Sequence, residues 1–256
     1  MAVEHASTDG SGKANYGVDA PGVIRGLLGA GAAAGVTAGV LFRLAAGPLT
    51  IIPAVALTLV SVGGLFFGGL MVLYVIVGKV RTREALLARV AWRGDETVLD
   101  VGAGAGLLAI GAAKRAPRGS VIGIDVWSAK DLSDNGPEAF VRNAALEGVS
   151  DRVDIRTADA RALPFPDASF DVALSLLCLH NIEGAQDQAL ACRQIARVLK
   201  PGGVVVIGDY LPTHAYGEAL AQAGLIATPS RAAFGIALSL MWIVSATKPL
   251  APETTV

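Results

Sequence analysis

The stretch VLDVGAGAG, residues Val98–Gly106, decides the fold. Aliphatic residues lead into three glycines, Gly102, Gly104 and Gly106, and helix-forming residues follow from Leu107. Glycines at a turn from strand to helix let the backbone approach a ligand without a Cβ in the way. The start of the helix offers free N–H groups to a carboxylate or phosphate. The stretch therefore predicts a ligand-binding loop at the carboxyl end of a first strand, where open parallel sheets bind their ligands.

Strand-like and helix-like stretches alternate on the C-terminal side of this loop. Strands separated by helices imply a parallel sheet with right-handed crossover connections. Pro201–Gly203 predicts a turn before the fifth strand. We therefore expect a doubly wound α/β domain over residues 80–250 and a short tail over residues 251–256. The further strand-like runs are VIGIDV, VDIRT, DVALSLL, VVVIGDY and SLMWIVSAT, and the helical stretches are Gly106–Arg115, Gly136–Glu147 and Ala185–Leu199.

The N-terminal side of the loop has a different composition. Hydrophobic residues make up 53% of the chain and charged residues 17%, whereas a soluble domain carries about 25% charged residues. Two uncharged runs, Gly26–Phe42 and Leu44–Gly78, account for the deficit. A membrane-spanning helix needs about 20 apolar residues, so the second run contains a span at roughly Leu49–Val77, and the first is only just long enough. The sequence predicts a hairpin of one or two transmembrane helices over residues 22–79, after a disordered polar tail over residues 1–21.

A cluster of cations follows the second apolar run, at residues 79, 81, 83, 89 and 93. Cations that flank a span stay on the cytoplasmic side, so we expect the chain in the inner (cytoplasmic) membrane with its α/β domain in the cytoplasm. Within the two runs, glycines 31, 35 and 39 and glycines 64 and 68 lie four residues apart. Such ridges favour close helix packing, either between the two helices or across a homodimer. The alternative is that glycine is simply frequent in this segment.

The net charge of the chain and the spacing of its cysteines and histidines bear on whether it binds nucleic acid or a metal. The formal net charge of -1 gives no general attraction to nucleic acid, so no nucleic-acid partner is expected. The two cysteines, Cys178 and Cys192, and three scattered histidines offer no metal-ligand spacing, and no metal site is expected. Both cysteines are interpreted as free thiols packed in the core.

The glycine loop by itself fits two kinds of ligand. Its inner part, Gly104–Ala109, matches the dinucleotide pattern G-x-G-x-x-A. However, the carboxylate of Asp100 would repel a pyrophosphate and suits the ammonium of an amino-acid ligand. Asp125, which ends the second strand, can accept both hydroxyls of a ribose, and Trp127 can cover an adenine ring. Asp159 follows the third strand and is placed to receive an exocyclic amine.

These runs resemble the motifs of class I S-adenosylmethionine-dependent methyltransferases. VLDVGAGAG is similar to the first motif, and VIGIDVW, ADARALPFPDASFDVALS and LKPGGVVVIGDY are similar to later motifs in the expected order. SLMWIVSATKP resembles the last strand of the family, which inserts antiparallel. The resemblance covers roughly Arg83–Pro249 and is closest to the small-molecule branch called type 11. RGDETVLDVGAG, DVWSAKDLSDN and LHNI resemble a bacterial subgroup with an N-terminal membrane segment.

The resemblance implies a mostly parallel seven-stranded sheet and a cofactor role for positions that end or follow its strands. Leu176, beside them, replaces a residue that is polar in many relatives, which predicts a more apolar acceptor pocket. The expected cofactor-binding residues are Asp100, Gly102, Ala103 and Gly104 for the methionine end, Asp125 for the ribose, Val126 and Trp127 for the adenine ring, Asp159 and Ala160 for its amine and a backbone contact, and Ser175 near the sulfonium.

The sequence thus predicts an S-adenosylmethionine-dependent methyltransferase that acts on a small, lipid-soluble acceptor at the cytoplasmic membrane face. The alternatives are an NAD(P)-dependent oxidoreductase and a membrane protein that binds S-adenosylmethionine without turnover. His180 is the candidate catalytic base, or else a polar residue that fixes its loop. The block Asp131–Asn135 is interpreted as a lid over the cofactor or as a surface loop. Asn181, Asp209, Tyr210 and His214 are weaker candidates for contact with the acceptor, and Arg161 is interpreted as a surface residue.

Overall fold

The computed structural model describes residues 12–44, 47–128, 132, 133, 135–233 and 241–250. Residues 1–11 of the predicted N-terminal tail and the whole predicted tail 251–256 lie outside the described residues, as do Asp131 and Asp134 of the predicted lid. The described helices are α1 Pro21–Arg43, α2 Pro48–Leu73, α3 Lys79–Leu87, α4 Leu107–Arg115, α5 Pro137–Leu146, α6 Ala185–Val198 and α7 His214–Gln222. The described strands are β1 Thr97–Val101, β2 Ser120–Asp125, β3 Val153–Thr157, β4 Phe170–Leu176, β5 Leu199–Asp209, β6 Ile226–Ala227, β7 Arg231–Ala232 and β8 Trp242–Thr247.

Helices α1 and α2 form an antiparallel hairpin before the α/β domain. Each begins with proline in its first turn, where the missing N–H costs no hydrogen bond. Both are long and apolar enough to cross a membrane. Their outward faces carry large apolar side chains that nothing in the described chain covers, such as Val36 at 71% and Leu49 at 93% exposure. Such faces suit contact with lipid.

Gly31, Gly35, Gly64 and Gly68 of the glycine ridges lie at the contact between α1 and α2, whereas Gly39 does not. A Cβ added to Gly64 would lie 2.8 Å from the carbonyl oxygen of Leu27, and one added to Gly31 would lie 3.0 Å from the backbone nitrogen of Leu65. A Cβ at Gly68 would lie 2.6 Å from the Leu28 side chain. These glycines therefore let the two helices of one chain approach closely. The homodimer through the same helices stays a prediction.

We expect Gly64→Ala to weaken the hairpin, because its new methyl group would meet backbone rather than a movable side chain. Overpacking of this kind costs about 1–3 kcal/mol, so the thermal midpoint of the chain in detergent should fall. Gly63→Ala is the matched control, because a Cβ at Gly63 meets nothing within 4 Å. Equal midpoints for the two variants would show that the glycine contact does not hold the helices together.

The sheet confirms the predicted doubly wound, mostly parallel architecture. Its strand order is β3-β2-β1-β4-β5-β8-β6, with β7 also paired to β8. The first five strands are parallel, and β8 runs antiparallel to β5. Seven strand positions were expected, and the structure fills the seventh with the two short strands β6 and β7, both of which pair with β8. The carboxyl ends of β1, β2 and β4 therefore lie side by side.

The turn predicted at Pro201–Gly203 lies within β5 instead of before it. Phe170 pairs with Leu199, and Val172 then pairs with Val204, so the segment between Leu199 and Val204 has more residues than its partner on β4. Gly202 takes a positive φ of 78° there. Extra residues on one strand form a bulge without ending the ladder, which explains why turn residues sit inside a strand.

Helix α3 joins the hairpin to the core of the domain. The chain passes from α2 through one π-helical turn, Tyr74–Gly78, directly into α3. Leu86 and Leu87 of α3 are fully buried in an apolar cluster with residues of α4 and α5. The boundary predicted at residue 79 therefore falls within a continuous helical run. A second cluster, on the opposite face of the sheet, contains residues of α6 and α7.

Residues 12–19, which we call the N-terminal strap, lie against the domain, whereas the sequence predicted disorder there. The Asn15 backbone N–H donates to Oδ1 of Asn143 over 2.9 Å, and Nδ2 of Asn143 donates to the Asn15 carbonyl over 2.7 Å. The Ser133 N–H donates to the Val18 carbonyl over 3.0 Å. The composition of the strap predicts little apolar burial, and these polar contacts with the domain order it instead. Because Leu132 and Ser133 of the predicted lid contact it, that block is held to the strap.

Candidate functional site

A cavity of about 660 Å³, here called the cofactor cavity, opens at the carboxyl ends of β1, β2 and β4. Ligand pockets in proteins measure about 300–1,000 Å³, so the space admits a nucleoside-sized molecule. The cavity therefore lies where the glycine loop predicts a ligand. Its lining residues from the α/β domain include Asp100–Ala105, Leu107, Leu108, Asp125, Val126, Ala158–Arg161 and Leu176–Cys178.

Three positions of the glycine loop have a backbone conformation that favours glycine. Gly102, Gly104 and Gly106 have φ values of 76°, 50° and 89°, a region that residues with a Cβ rarely adopt. The N–H groups of Gly102 and Ala103 both donate to the carbonyl of Ile124, over 2.9 and 3.0 Å. A Cβ at Gly102 would lie 2.3 Å from Sγ of Cys178. The loop therefore packs its backbone directly against the segment that follows β4.

Asp100 lies beneath the loop, with 1% of its surface exposed. Its Oδ2 accepts a 2.8 Å hydrogen bond from the N–H of Ala109, in the first turn of α4. The pKa of Asp100 is raised to about 7, mainly because the carboxyl is buried; the Ala109 hydrogen bond lowers the pKa, and the charge of Asp125 raises it. A bound ammonium would favour the ionised form of Asp100. The position therefore suits the cationic ligand group expected there.

Asp125 holds two loops together at the end of β2. One carboxylate oxygen accepts from the N–H of Gly104 over 2.8 Å, and the other accepts from the N–H of Trp127 over 2.7 Å. Each carboxylate oxygen has a second lone pair, so the side chain can also accept ribose hydroxyls. Asp125, which is expected to bind the ribose, thus also holds the glycine loop in place.

Two residues that were predicted to bind the cofactor, Trp127 and Ser175, make hydrogen bonds to other parts of the protein. The Trp127 indole N–H donates to Oγ1 of Thr157 over 2.8 Å, and Trp127 is not among the described residues that line the cavity, whereas Val126 is. Ser175 is 1% exposed and donates to the Val101 carbonyl over 2.9 Å. Both side chains satisfy polar groups at strand ends, so the structure does not place either against the expected adenine or sulfonium.

Asp159 lines the cavity but is paired with a neighbour. Its Oδ2 lies 2.6 Å from a guanidinium nitrogen of Arg161, which also reaches Asp187 over 2.7 Å. The Arg161 hydrogen bond is the largest effect on Asp159 and lowers its pKa. Arg161 is exposed, as expected, and also lines the cavity beside Asp159 and Ala160. An adenine amine at Asp159 would therefore share the carboxylate with this arginine.

Four further lining residues, Tyr16, Asp19, Tyr74 and Lys79, come from the strap and the end of the hairpin. Lys79 Nζ donates to the carbonyls of Tyr16 and Gly17 over 2.7 and 2.9 Å and lies 3.0 Å from Oδ2 of Asp19. Burial raises the pKa of Asp19, while the Lys79 charge lowers it. The only sequence signal was Lys79, the first cation after the apolar run. Its strap contacts are long-range, so no local pattern revealed them.

His180 lies beyond the cofactor cavity, in the short helical turn Leu179–Asn181 after β4. Its Nδ1 is 2.8 Å from Oδ1 of Asp209, which is fully buried at the end of β5. The His180 ring meets the Tyr210 ring edge to face, with centroids 4.6 Å apart. This arrangement places a carboxylate behind the imidazole and leaves Nε2 available. His214, in contrast, is exposed at the start of α7.

A second cavity of about 420 Å³, here called the junction cavity, lies between the hairpin and the domain. His180 lines it together with Tyr210. Both cavities share four lining residues, Asp19, Tyr74, Leu177 and Asn181, and are therefore adjacent. Cys178 packs against the apolar cluster that contains residues of α6 and α7, as expected, and also lines the cofactor cavity. Burial raises its thiol pKa far above the usual range.

Comparison with known proteins identifies the family. A family model described as a methyltransferase domain matches residues 99–207. The chain is 38% identical over 131 residues to the 27-O-demethylrifamycin SV methyltransferase of Amycolatopsis mediterranei (strain S699), covering 51% of this chain and 44% of that protein. It is 30% identical over 128 residues to the ubiquinone/menaquinone biosynthesis C-methyltransferase UbiE of Dinoroseobacter shibae, covering 50% and 48%. The chain thus spans less than half the length of either relative.

A solved structure shares the fold. The crystal structure of the cyclase SpnF matches with a TM-score of 0.56 at 22% identity, over 67% of this chain and 82% of that chain. This likeness concerns the fold alone. The family match covers β1 to β5, including the glycine loop, Asp125 and Asp159. Residues 99–207 therefore form a class I S-adenosylmethionine-dependent methyltransferase domain.

Proposed function

We propose that this chain transfers a methyl group from S-adenosylmethionine to a small, lipid-soluble acceptor at the cytoplasmic face of a membrane. The observation that carries the proposal is the cofactor cavity, in which the glycine loop lies between two carboxylates, Asp100 and Asp125. A positive-φ glycine cradle with carboxylates on both sides suits a ligand with an ammonium at one end and a ribose farther along. We also propose that this chain is a membrane-anchored member of the family.

The lining residues match the chemical groups of S-adenosylmethionine. Asp100 would hold its ammonium, and the first N–H groups of α4, at Leu107 and Leu108, would hold its carboxylate. Asp125 would accept the ribose hydroxyls, and Asp159 the amine of the adenine. Bound there, the cofactor supplies a methyl group on a cationic sulfur, which leaves as a neutral thioether when the acceptor takes the methyl group.

His180 would remove the proton of an acceptor hydroxyl. Nδ1 of His180 lies 2.8 Å from the Asp209 carboxylate, and Nε2 is the nitrogen that would act as the base. Tyr216 donates to the other oxygen of Asp209 over 3.4 Å, which helps to fix that carboxylate. His180 faces the junction cavity, where an acceptor would lie beside the cofactor cavity.

The hairpin supports action at a membrane. Its outward faces are apolar, and cations follow its second helix at residues 79, 81, 83 and 89, which favours a cytoplasmic domain. Leu176 and Leu177 line the cofactor cavity at the end of β4 and favour an apolar acceptor. Gly39, Gly63 and Gly69 have open space beside them, and a homodimer through them stays a prediction.

The function is tested with the full chain in nanodiscs and S-adenosylmethionine that carries a labelled methyl group. We expect label in products from a total lipid extract of bacterial membranes and little from a water-soluble extract. Label confined to the water-soluble extract would overturn the lipid-soluble acceptor. Tight cofactor binding with no label in either extract would show a binding protein without turnover.

His180→Gln should lower the rate of methyl transfer to an O–H acceptor by about 10²–10⁴-fold, the usual contribution of a positioned base. Cofactor affinity should stay the same, because His180 is not among the described residues that line the cofactor cavity. His214→Gln, at an exposed histidine, is the control. An unchanged rate with an unchanged pH profile would mean that His180 only fixes its loop.

A further inference from the structure

We infer that the junction cavity is the acceptor site and that it takes an amphiphilic lipid with a hydroxyl-bearing, uncharged head, of the long-chain phenol type. The inference rests on the proposed function and adds where the acceptor binds, how it is oriented and which head group it carries. The membrane-side wall of the cavity and Tyr74 lie outside the family match over residues 99–207, whereas His180 and Asn181 lie within it.

The walls of the junction cavity come from both membrane helices. Ala20 and Val23 lie at the start of α1, and Met71 lies in the last turn of α2. Tyr74 and Val75 follow in the π-helical turn. Because these residues adjoin the apolar faces of the hairpin, a lipid tail can leave the cavity along α1 and α2 without entering water. The domain supplies the remaining wall.

The inner end of the cavity is polar. Tyr74 is 6% exposed, and its hydroxyl lies beside that of Thr82, which is fully buried. Neither hydroxyl has another partner among the residues that the structure describes, and a hydroxyl can make more than one hydrogen bond, so a ligand hydroxyl can still bond to Tyr74. Tyr74 and Asn181 line both cavities. A head group at Tyr74 would therefore lie at the boundary with the cofactor cavity, beside His180.

Charge selects the class of head group. No lysine or arginine is among the described lining residues of the junction cavity. Its one carboxylate, Asp19, is paired with Lys79 over 3.0 Å. A buried charge without a partner is strongly disfavoured, so a phosphate head would be poorly held. An uncharged hydroxyl can bond to Tyr74 and give its proton to His180.

The test uses the full chain in nanodiscs and 4-dodecylphenol with a diazirine in its tail as the probe. We expect photolabel on the segments that contain Val23 and Met71. Met71→Trp, which fills the cavity, should reduce this labelling by about tenfold. Leu59→Trp is the matched control, because Leu59 lies on the same helix, is 69% exposed and does not line the cavity. Labelling elsewhere, or unchanged by Met71→Trp, would overturn the site.

Tyr74→Phe tests the head group while keeping the aromatic ring. Tyr74→Phe should bind 4-dodecylphenol about fivefold more weakly than wild type does, because one hydrogen bond is removed. Equal affinity of the two chains for the phenol, or stronger competition by dodecyl phosphate than by the phenol, would overturn the assigned head group. Since photolabelling and competition need no methyl transfer, these results are independent of the labelled-methyl assay that tests the proposed function.

Discussion

Asp125→Ala is expected to weaken binding of both S-adenosylmethionine and S-adenosylhomocysteine by at least about 100-fold. The substitution removes the carboxylate that accepts from Gly104 N–H and Trp127 N–H, over 2.8 and 2.7 Å. It also removes the expected partner of the ribose hydroxyls. Hydrogen bonds to a charged group contribute about 1.5–3 kcal/mol each, and a 100-fold loss corresponds to about 2.7 kcal/mol. Isothermal titration calorimetry on the full chain measures both affinities.

Two controls separate the ribose contact from the bracing of the loop. Asp154→Ala changes a carboxylate that is 58% exposed on the neighbouring strand β3 and should leave affinity unchanged. An S-adenosylhomocysteine analogue without both ribose hydroxyls should bind wild type weakly and lose little more in Asp125→Ala. If the variant still preferred the complete ribose as strongly as wild type does, Asp125 would not be the ribose ligand.

Gly102→Ala is expected to have the largest effect on stability. Its Cβ would lie 2.3 Å from Sγ and 2.4 Å from Cβ of Cys178, and its φ of 76° is unfavourable for alanine. The left-handed conformation costs about 1–2 kcal/mol and overpacking about 1–3 kcal/mol. Together these should lower the thermal midpoint by about 10 °C and abolish detectable cofactor binding.

A second glycine with a similar φ serves as a control that separates the steric clash with Cys178 from the conformational cost. Gly148 has a similar φ of 70°, but a Cβ there meets nothing within 4 Å. Gly148→Ala should therefore show the conformational cost alone. Adding Cys178→Gly to Gly102→Ala removes the clashing atoms and should recover part of the lost midpoint. No recovery, or equal losses for the two alanine variants, would mean that the loop does not pack on Cys178 as the structure shows.

Local sequence patterns predicted the α/β domain because its elements carry their signals within a few residues. The glycine loop after β1 and the β-rich run of each major strand predicted a mostly parallel sheet, and the resemblance added seven strands with an antiparallel last one. The strap could not be predicted in the same way. Its contacts join Asn15 to Asn143 and Gly17 to Lys79, and such pairings between polar groups far apart in sequence leave no periodic signature.

The sequence predicted which strand ends carry the site residues more reliably than it predicted what their side chains contact. Asp100 and Asp125 line the cavity as expected, because charge and strand register determine where they lie. Ser175 and Trp127 do not, since each side chain found a nearby backbone or hydroxyl partner. Which of several polar groups a side chain meets depends on packing, and a single sequence does not specify it.

The hairpin is also part of the cofactor cavity. Tyr74 and Lys79 line it from the helical run that links α2 to α3, and Tyr16 and Asp19 line it from the strap. A chain truncated at residue 80 would lose this wall, including the Lys79–Asp19 pair. Cofactor binding is therefore best measured on the full chain in detergent or nanodiscs.

Calorimetric titration of that full chain with S-adenosylmethionine and, separately, with NADH and NADPH tests the central claim most directly. The inner glycine pattern Gly104–Ala109 fits a dinucleotide, whereas Asp100 beneath the loop opposes a pyrophosphate. We predict saturable binding of S-adenosylmethionine with one molecule per chain and no heat of binding from either dinucleotide. Saturable binding of NADH or NADPH, with none of S-adenosylmethionine, would contradict the account.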